Sequence, residues 1–164
     1  MIIISDTSCI SALVRIGRLE LLRDVFEQIV IPKKVHEELL KLDDFGIDTS
    51  IFAAQNWIRI LQPQPSPILK TLLSELDEGE AHAIALGLEL HADVFLTDDM
   101  LARKAAETHH FTVIGIGGIL IRAKKAGFII EVKPMLDKII TTTNFRLSTK
   151  IYNLILDLAD ESQT

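Results

Sequence analysis

The sequence predicts an α/β protein, a central parallel sheet with helices on both faces. Three observations predict it. Short apolar runs of strand length recur along the chain, at Ile2–Ser5, Ile29–Ile31, Val94–Thr97 and Phe111–Ile114. Helical stretches with one apolar face separate them, the pattern of βαβ crossovers. The runs are apolar throughout rather than alternating, as in strands covered on both sides.

The elements follow in order. Ile2–Ser5 reads as a buried strand. Ser8–Ile16 and Leu19–Phe26 read as helices divided by Gly17. Ile29–Ile31 is a second strand, and Pro32 suits the first turn of a helix over Lys33–Leu42. Trp57–Leu61 is an edge-strand candidate. Gln62-Pro63-Gln64-Pro65-Ser66-Pro67 reads as an extended surface connection, because each proline biases its predecessor away from helix. Asp77–Leu90 is a strong helix. Val94–Thr97 is a strand, Asp99–Thr108 a helix, and Phe111–Ile114 a strand. Gly117–Ala126 is a helix ended by Gly127. Two more helices are expected at about Pro134–Thr142 and Ser148–Glu161. There is no internal repeat or low-complexity linker. One domain over residues 1–164 is expected, with a core of about 1–133 and a helical extension of about 134–164.

Composition narrows the class. At 48% hydrophobic, 164 residues can bury a core, and with aromatics at only 5% that core must be mainly Leu, Ile, Val and Ala. A lone Cys9 excludes an internal disulfide and a thiol-rich zinc site, and suits a reducing cytoplasm. The start meets Asp6 at once and has no basic segment, so it does not read as a signal peptide. No apolar run approaches the roughly 20 residues of a membrane span. The net charge of −6 argues against a protein that coats nucleic acid. Its distribution is uneven, however. Leu101–Lys150 holds nine Lys or Arg against three Asp or Glu, a basic stretch suited to a phosphate-bearing substrate or simply to solvated helix faces.

Ligands of parallel sheets bind at the carboxyl ends of strands, so acids there are the candidates. Asp6 follows the first strand directly; capping the next helix is its plainer role, although Thr7 or Ser8 can cap while Asp6 faces a cleft. Two adjacent glutamates separate by helical geometry. At about 100° per residue, Val35, Leu39 and Leu42 form a buried stripe, Glu38 lies at its margin, and Glu37 lies opposite. Glu80 stands at capping-box spacing from Asp77. It also lies opposite the wet side marked by Glu78, His82 and Glu89, with small neighbours Gly79, Ala83 and Gly87 leaving room for an ion or substrate. Asp98 and Asp99 follow the strand Val94–Thr97. One should cap the next helix and the other face the strand end, and physics alone leaves the choice open. Such acids gathered at one sheet edge repel unless a cation joins them. An all-oxygen donor set suits Mg²⁺ or Mn²⁺, which serve phosphodiester hydrolysis. The five histidines show no paired ligand spacing for zinc.

At these residues the chain resembles the PIN-domain family, particularly VapC-type toxin nucleases and a closely related bacterial and archaeal branch. The matching segments are Ile4-Ser5-Asp6-Thr7-Ser8, Ile31–Leu39, Leu76–Ala85, Phe95-Leu96-Thr97-Asp98-Asp99 and the glycine-containing stretch Gly115–Gly127. The resemblance runs over about residues 1–135 and more weakly beyond. It implies a three-layer α/β/α fold with additional C-terminal helices. It implies a Mg²⁺- or Mn²⁺-dependent endoribonuclease, often the toxin of a toxin–antitoxin pair and often a homodimer. By position, the metal-holding and catalytic acids are Asp6, Glu38, Glu80 and Asp99. Thr97 matches a family hydroxyl, Asp98 is left as the helix cap, and Thr7 and Ser8 support the site. Arg103 is the expected contact to the RNA backbone. Glu80 stands where most VapC toxins have Asp, and the helices after Pro134 exceed a minimal VapC. The rival readings are a catalytically inactive PIN-like interaction module and a phosphatase with Asp6 as nucleophile. The second usually wants an acid where Ser8 stands.

Overall fold

The structure, a computed structural model, describes residues 1–162. Its frame is a five-stranded, wholly parallel sheet. The strands are β1 (Ile3–Ser5), β2 (Ile29–Pro32), β3 (Ile58–Leu61), β4 (Val94–Leu96) and β5 (Thr112–Ile114), in the order β3-β2-β1-β4-β5. The central strand is therefore the first. Ile4 faces Val30 on one side and Phe95 on the other. The edge position of β3 agrees with the sequence: Ile58 is buried, whereas Arg59 and Ile60 are exposed.

Helices follow every strand: α1 (Thr7–Arg15), α2 (Glu20–Phe26), α3 (Lys33–Leu40), the short α4 (Ser50–Ala53), α5 (Pro67–Glu75), α6 (Glu78–Glu89), α7 (Met100–Thr108), α8 (Ile116–Lys125), α9 (Lys133–Thr142) and α10 (Thr149–Leu158). Because side chains alternate along a strand, Ile3, Ile29, Ile31 and Leu96 enter one core. There they meet Leu13 of α1, Leu21 of α2, Ile119 of α8 and Leu136 of α9. Ile4, Val30 and Phe95 enter the other, against Leu72 of α5, Ile84 of α6 and Ala106 of α7. Each such fully buried aliphatic side chain stabilises the fold by about 1.5–3 kcal/mol relative to exposure.

Three departures from the sequence reading have physical causes. The helix expected to run to Leu42 tightens after Leu40 into a 3-10 turn, Lys41–Phe45, closed by the left-handed Gly46. The proline-spaced connection is not extended throughout. Pro67 opens α5, with the Ser66 hydroxyl capping the Leu69 amide, so Ser66-Pro67 is a helix start. The terminal helices also join the main core: Ile155 of α10 packs onto Gly117 of α8, where an added Cβ would lie 2.6 Å from it. Among the described residues no helix is long and apolar enough to cross a membrane.

Candidate active site

Along the chain, β1, β2 and β3 step outward on one side. The chain then crosses back to place β4 on the other side of β1. The crossovers on the two flanks of β1 diverge there and leave a crevice at the carboxyl ends of β1 and β4. Both strands run directly into acids, Asp6 after β1 and Asp98-Asp99 two residues beyond β4. A hollow of about 610 Å³ opens at this point, lined by Asp6, Glu38, Asp77, Glu80, Asp98 and Asp99. The structure thus brings together every acid singled out from the sequence.

Asp6 is the pivot. It is 2% exposed. It caps α1 itself, so neither Thr7 nor Ser8 takes that role. One oxygen accepts from the Ser8 amide (2.9 Å) and hydroxyl (2.7 Å), and the other accepts from the Thr97 hydroxyl. Burial nevertheless outweighs these bonds and, with nearby Asp98 adding repulsion, pushes its pKa up to about 7. Thr97 also accepts from the Asp99 amide at 3.0 Å, and the Ser8 hydroxyl accepts from the Asp98 amide at 3.0 Å. Two hydroxyls therefore lock the end of β1 to the end of β4.

Glu38 and Glu37 separate as helical geometry requires. Glu37 is exposed and pairs with Lys34 at 3.8 Å. Glu38 turns into the hollow and accepts from the Thr7 hydroxyl at 2.5 Å. Gly79 of α6 makes room for it, since a Cβ there would lie 2.5 Å from a Glu38 carboxylate oxygen. The room at Gly87 serves the core instead, because a Cβ there would lie 2.8 Å from the Phe111 ring. His82, expected on the wet side, is half-buried, with a buried and unpartnered Nδ1.

Glu80 fulfils both of its candidate roles. Asp77 and Glu80 form the capping box, with the Glu80 amide donating to Asp77 at 3.0 Å and the Asp77 amide reaching Glu80 at 3.4 Å. Glu80 also lines the hollow. Burial, then the charges of Asp77, Asp99 and Asp6, push its pKa up to about 8. Those neighbours show how close the acids of β1, β4 and α6 lie.

The paired aspartates exchange the expected capping role. Asp99 caps α7, accepting from the Ala102 amide at 2.9 Å with one oxygen. Asp98, expected as that cap, turns the other way. It accepts from the Ile116 amide at the start of α8 (3.0 Å) and from the Cys9 thiol (3.4 Å), and burial raises its pKa. The reason is tertiary: α7 and α8 both begin beside the β4 end, and each takes one acid. Arg103 does not line the hollow. Its guanidinium lies beside Gly115 and Asp98, with Glu107 at 4.0 Å.

The far wall was not foreseen. Ser11, Ala12 and Arg15 of α1 form it together with Thr142–Arg146, the turn between α9 and α10. A signal was present in part, since Ser8, Ser11 and Arg15 recur at helical spacing on one face.

Among the described residues no three His, Cys, Asp or Glu side chains are grouped so as to hold a metal ion as they stand. Caps and hydroxyls already engage several of the carboxylates. The donor set still fits a hard divalent cation in kind. It is all carboxylate oxygen, and burial together with neighbouring acids raises the pKa values of Asp6 and Glu80, a cost that a bound cation would relieve.

An all-parallel α/β fold with carboxylates at its topological switch point defines the class. The chain belongs to the PIN-domain family, whose model matches residues 2–161 and so includes α9 and α10. PIN domains are generally nucleases and typically use divalent metal ions. No curated protein is significantly similar to the chain.

Proposed function

We propose that this protein is a Mg²⁺- or Mn²⁺-dependent endoribonuclease that hydrolyses RNA phosphodiester bonds in the hollow at the ends of β1 and β4. One observation carries the reading: in a chain of a nuclease-type family, acids from four parts of the fold line one crevice, and two have pKa values raised to about 7 and 8. Asp6, Glu38, Glu80 and Asp99 would hold the ion, which supplies charge neutralisation and water activation.

The chain's own groups set up the rest. Ser8 and Thr97 fix both oxygens of Asp6, and Thr7 fixes Glu38. Asp99 gives one oxygen to the Ala102 amide, leaving the other for the hollow. Asp98 acts as a positioning residue, fastening α8 to the β4 end. Glu80 is held only by the 3.4 Å contact to the Asp77 amide among the described residues, so it is the acid freest to reorient toward the ion. Asp6, buried and bonded through both oxygens, is poorly presented as a phosphatase nucleophile.

The test is cleavage of a mixed RNA pool by purified protein with Mn²⁺ or Mg²⁺, against EDTA and against Asp6→Asn. Metal-dependent cleavage that the substitution abolishes is expected. Equal, metal-independent activity of both proteins sinks the reading.

A second reading, an inactive interaction module, draws support from the capping bonds that occupy the acids. Calorimetry separates the two: saturable Mn²⁺ binding lost in Asp6→Asn favours the nuclease, and no binding at millimolar metal favours the module. Within the nuclease reading we place the protein in the cytoplasm, as a homodimer and as the toxin partner of an antitoxin protein. Co-purification of a neighbouring small protein that suppresses cleavage tests that assignment.

A further inference from the structure

The acidic hollow poses a problem for any polyanionic substrate. Six carboxylates line it, and a phosphodiester chain entering it meets repulsion of its own sign. Two cations line the same hollow, Arg15 and Arg146, and they come from opposite parts of the chain. Arg15 stands on α1, two turns from Asp6. Arg146 stands in the turn joining α9 to α10, next to Phe145. Neither makes an ion pair among the described residues. This is unlike Arg18, Arg23 and Arg103, which sit outside the hollow beside Glu20, Asp24 and Glu107. Arg15 is also held in place. Its Nε donates to the Ser11 hydroxyl at 3.5 Å, and its guanidinium carbon lies over the Phe45 ring, 5.6 Å from the centroid, within cation–π range. No hydrogen bond or ion pair among the described residues engages its terminal N–H groups, which leaves them to fork onto an oxyanion. Phe45 is itself 71% exposed, so the packing of a core does not account for its position.

We propose that Arg15, lying over Phe45, and Arg146, carried by the α9–α10 turn, form a clamp that holds the sugar–phosphate backbone of a single-stranded RNA against the acids. This rests on the nuclease reading and adds residues to it. Each arginine would contact a phosphate flanking the bond to be cut, both from the wall that faces the acids. The hollow, at about 610 Å³, is within the range of pockets for small organic ligands and admits about one or two nucleotides. A double-stranded RNA keeps its paired bases stacked in a rigid A-form helix and cannot thread one or two nucleotides into it. The clamp therefore selects a flexible single strand. It also gives α9 and α10 a function, because the turn between them supplies half of the clamp.

The test is fluorescence-anisotropy titration of the full chain with a labelled single-stranded RNA in EDTA, which blocks cleavage. It is run across a salt series on wild type, Arg15→Ala, Arg146→Ala, the double variant and Lys150→Ala. Thermal melts confirm that each variant is folded. Each single arginine variant is expected to bind several-fold more weakly. In the double variant the slope of log affinity against log salt should fall by about 1.4, the value for two lost contacts to a single strand. Lys150→Ala, on the exposed face of α10, should bind as wild type, and a duplex of the same sequence at least tenfold more weakly. An unchanged salt slope in the folded double variant overturns the clamp. Duplex binding as tight as single-strand binding does so too. If wild type cleaves RNA while the double variant binds normally, the clamp alone is lost. If wild type neither binds nor cleaves RNA, the nuclease reading falls with it.

Discussion

Two hollows of nearly equal size open on this molecule, about 610 Å³ at the ends of β1 and β4 and about 570 Å³ beside the edge strand β3. Both contain carboxylates, and Asp48 in one and Asp6 in the other shift in opposite directions. In the second, Asp43 accepts from the Thr49 amide, and Asp48 accepts from the Ser50 amide and hydroxyl. The bonds to Ser50 lower the pKa of exposed Asp48. In the first, Asp6 accepts three hydrogen bonds, yet its pKa is pushed up to about 7. Hydrogen bonding is thus not what divides a structural acid from a chemical one. Burial beside other acids is, because it leaves charge that only a proton or a cation can neutralise.

The largest test of that contrast is catalytic. Asp6→Asn or Glu80→Gln should lower RNA cleavage by about 10²–10³-fold, the scale of losing one group that stabilises developing charge. Asp43→Asn and Asp48→Asn should leave the rate unchanged, as steady-state assays of the four variants would show. Equal losses in both hollows would erase the distinction.

Next is pH. The folded protein holds protons on Asp6 and Glu80 that the unfolded chain, with ordinary values of 3.8 and 4.5, has already released. Their stabilising contribution is full below about pH 4 and is lost as pH rises through 7 and 8. In EDTA, the melting temperature should therefore fall by several degrees from pH 5 to pH 8. Millimolar Mn²⁺ should restore it at pH 8 through binding to the folded state. A metal-free melting temperature that climbs over this range would contradict the raised values.

Two glycines of α6 sharpen the contrast between site and core. Gly87→Ala drives a Cβ into the Phe111 ring and should cost about 1–3 kcal/mol in urea unfolding. Gly79→Ala meets the flexible end of Glu38 and should cost less stability, while weakening Mn²⁺ binding about tenfold by calorimetry. The smallest effect belongs to Glu37→Gln, which removes an exposed 3.8 Å ion pair and should change stability by less than about 1 kcal/mol with no change in cleavage.

The sheet and most helices were legible because apolar runs and helical periodicity are local. So was the split between Glu38 and Glu37, which needs only the helical angle. The pairing of Asp98 and Asp99 with their helices was not. It depends on α8 starting beside the β4 end, eighteen residues downstream of Asp98. The helix α5 was hidden by reading Pro67 as a breaker rather than as a first-turn residue. Arg15 and Arg146 could not be paired from sequence, since nothing local places the α9–α10 turn beside α1.

The hydroxyl of Thr97 reaches Asp6 across 91 residues of chain, and the Arg146 turn is made later still. Synthesis runs from the amino end at about 5–20 residues per second. For much of that time the growing polypeptide carries Asp6 without the strand that flanks it or the wall that faces it. The hollow is therefore among the last features to be completed, and a truncated product ending before β4 would retain Asp6, Glu38 and Glu80 but lack Thr97 and the Asp98–Asp99 pair.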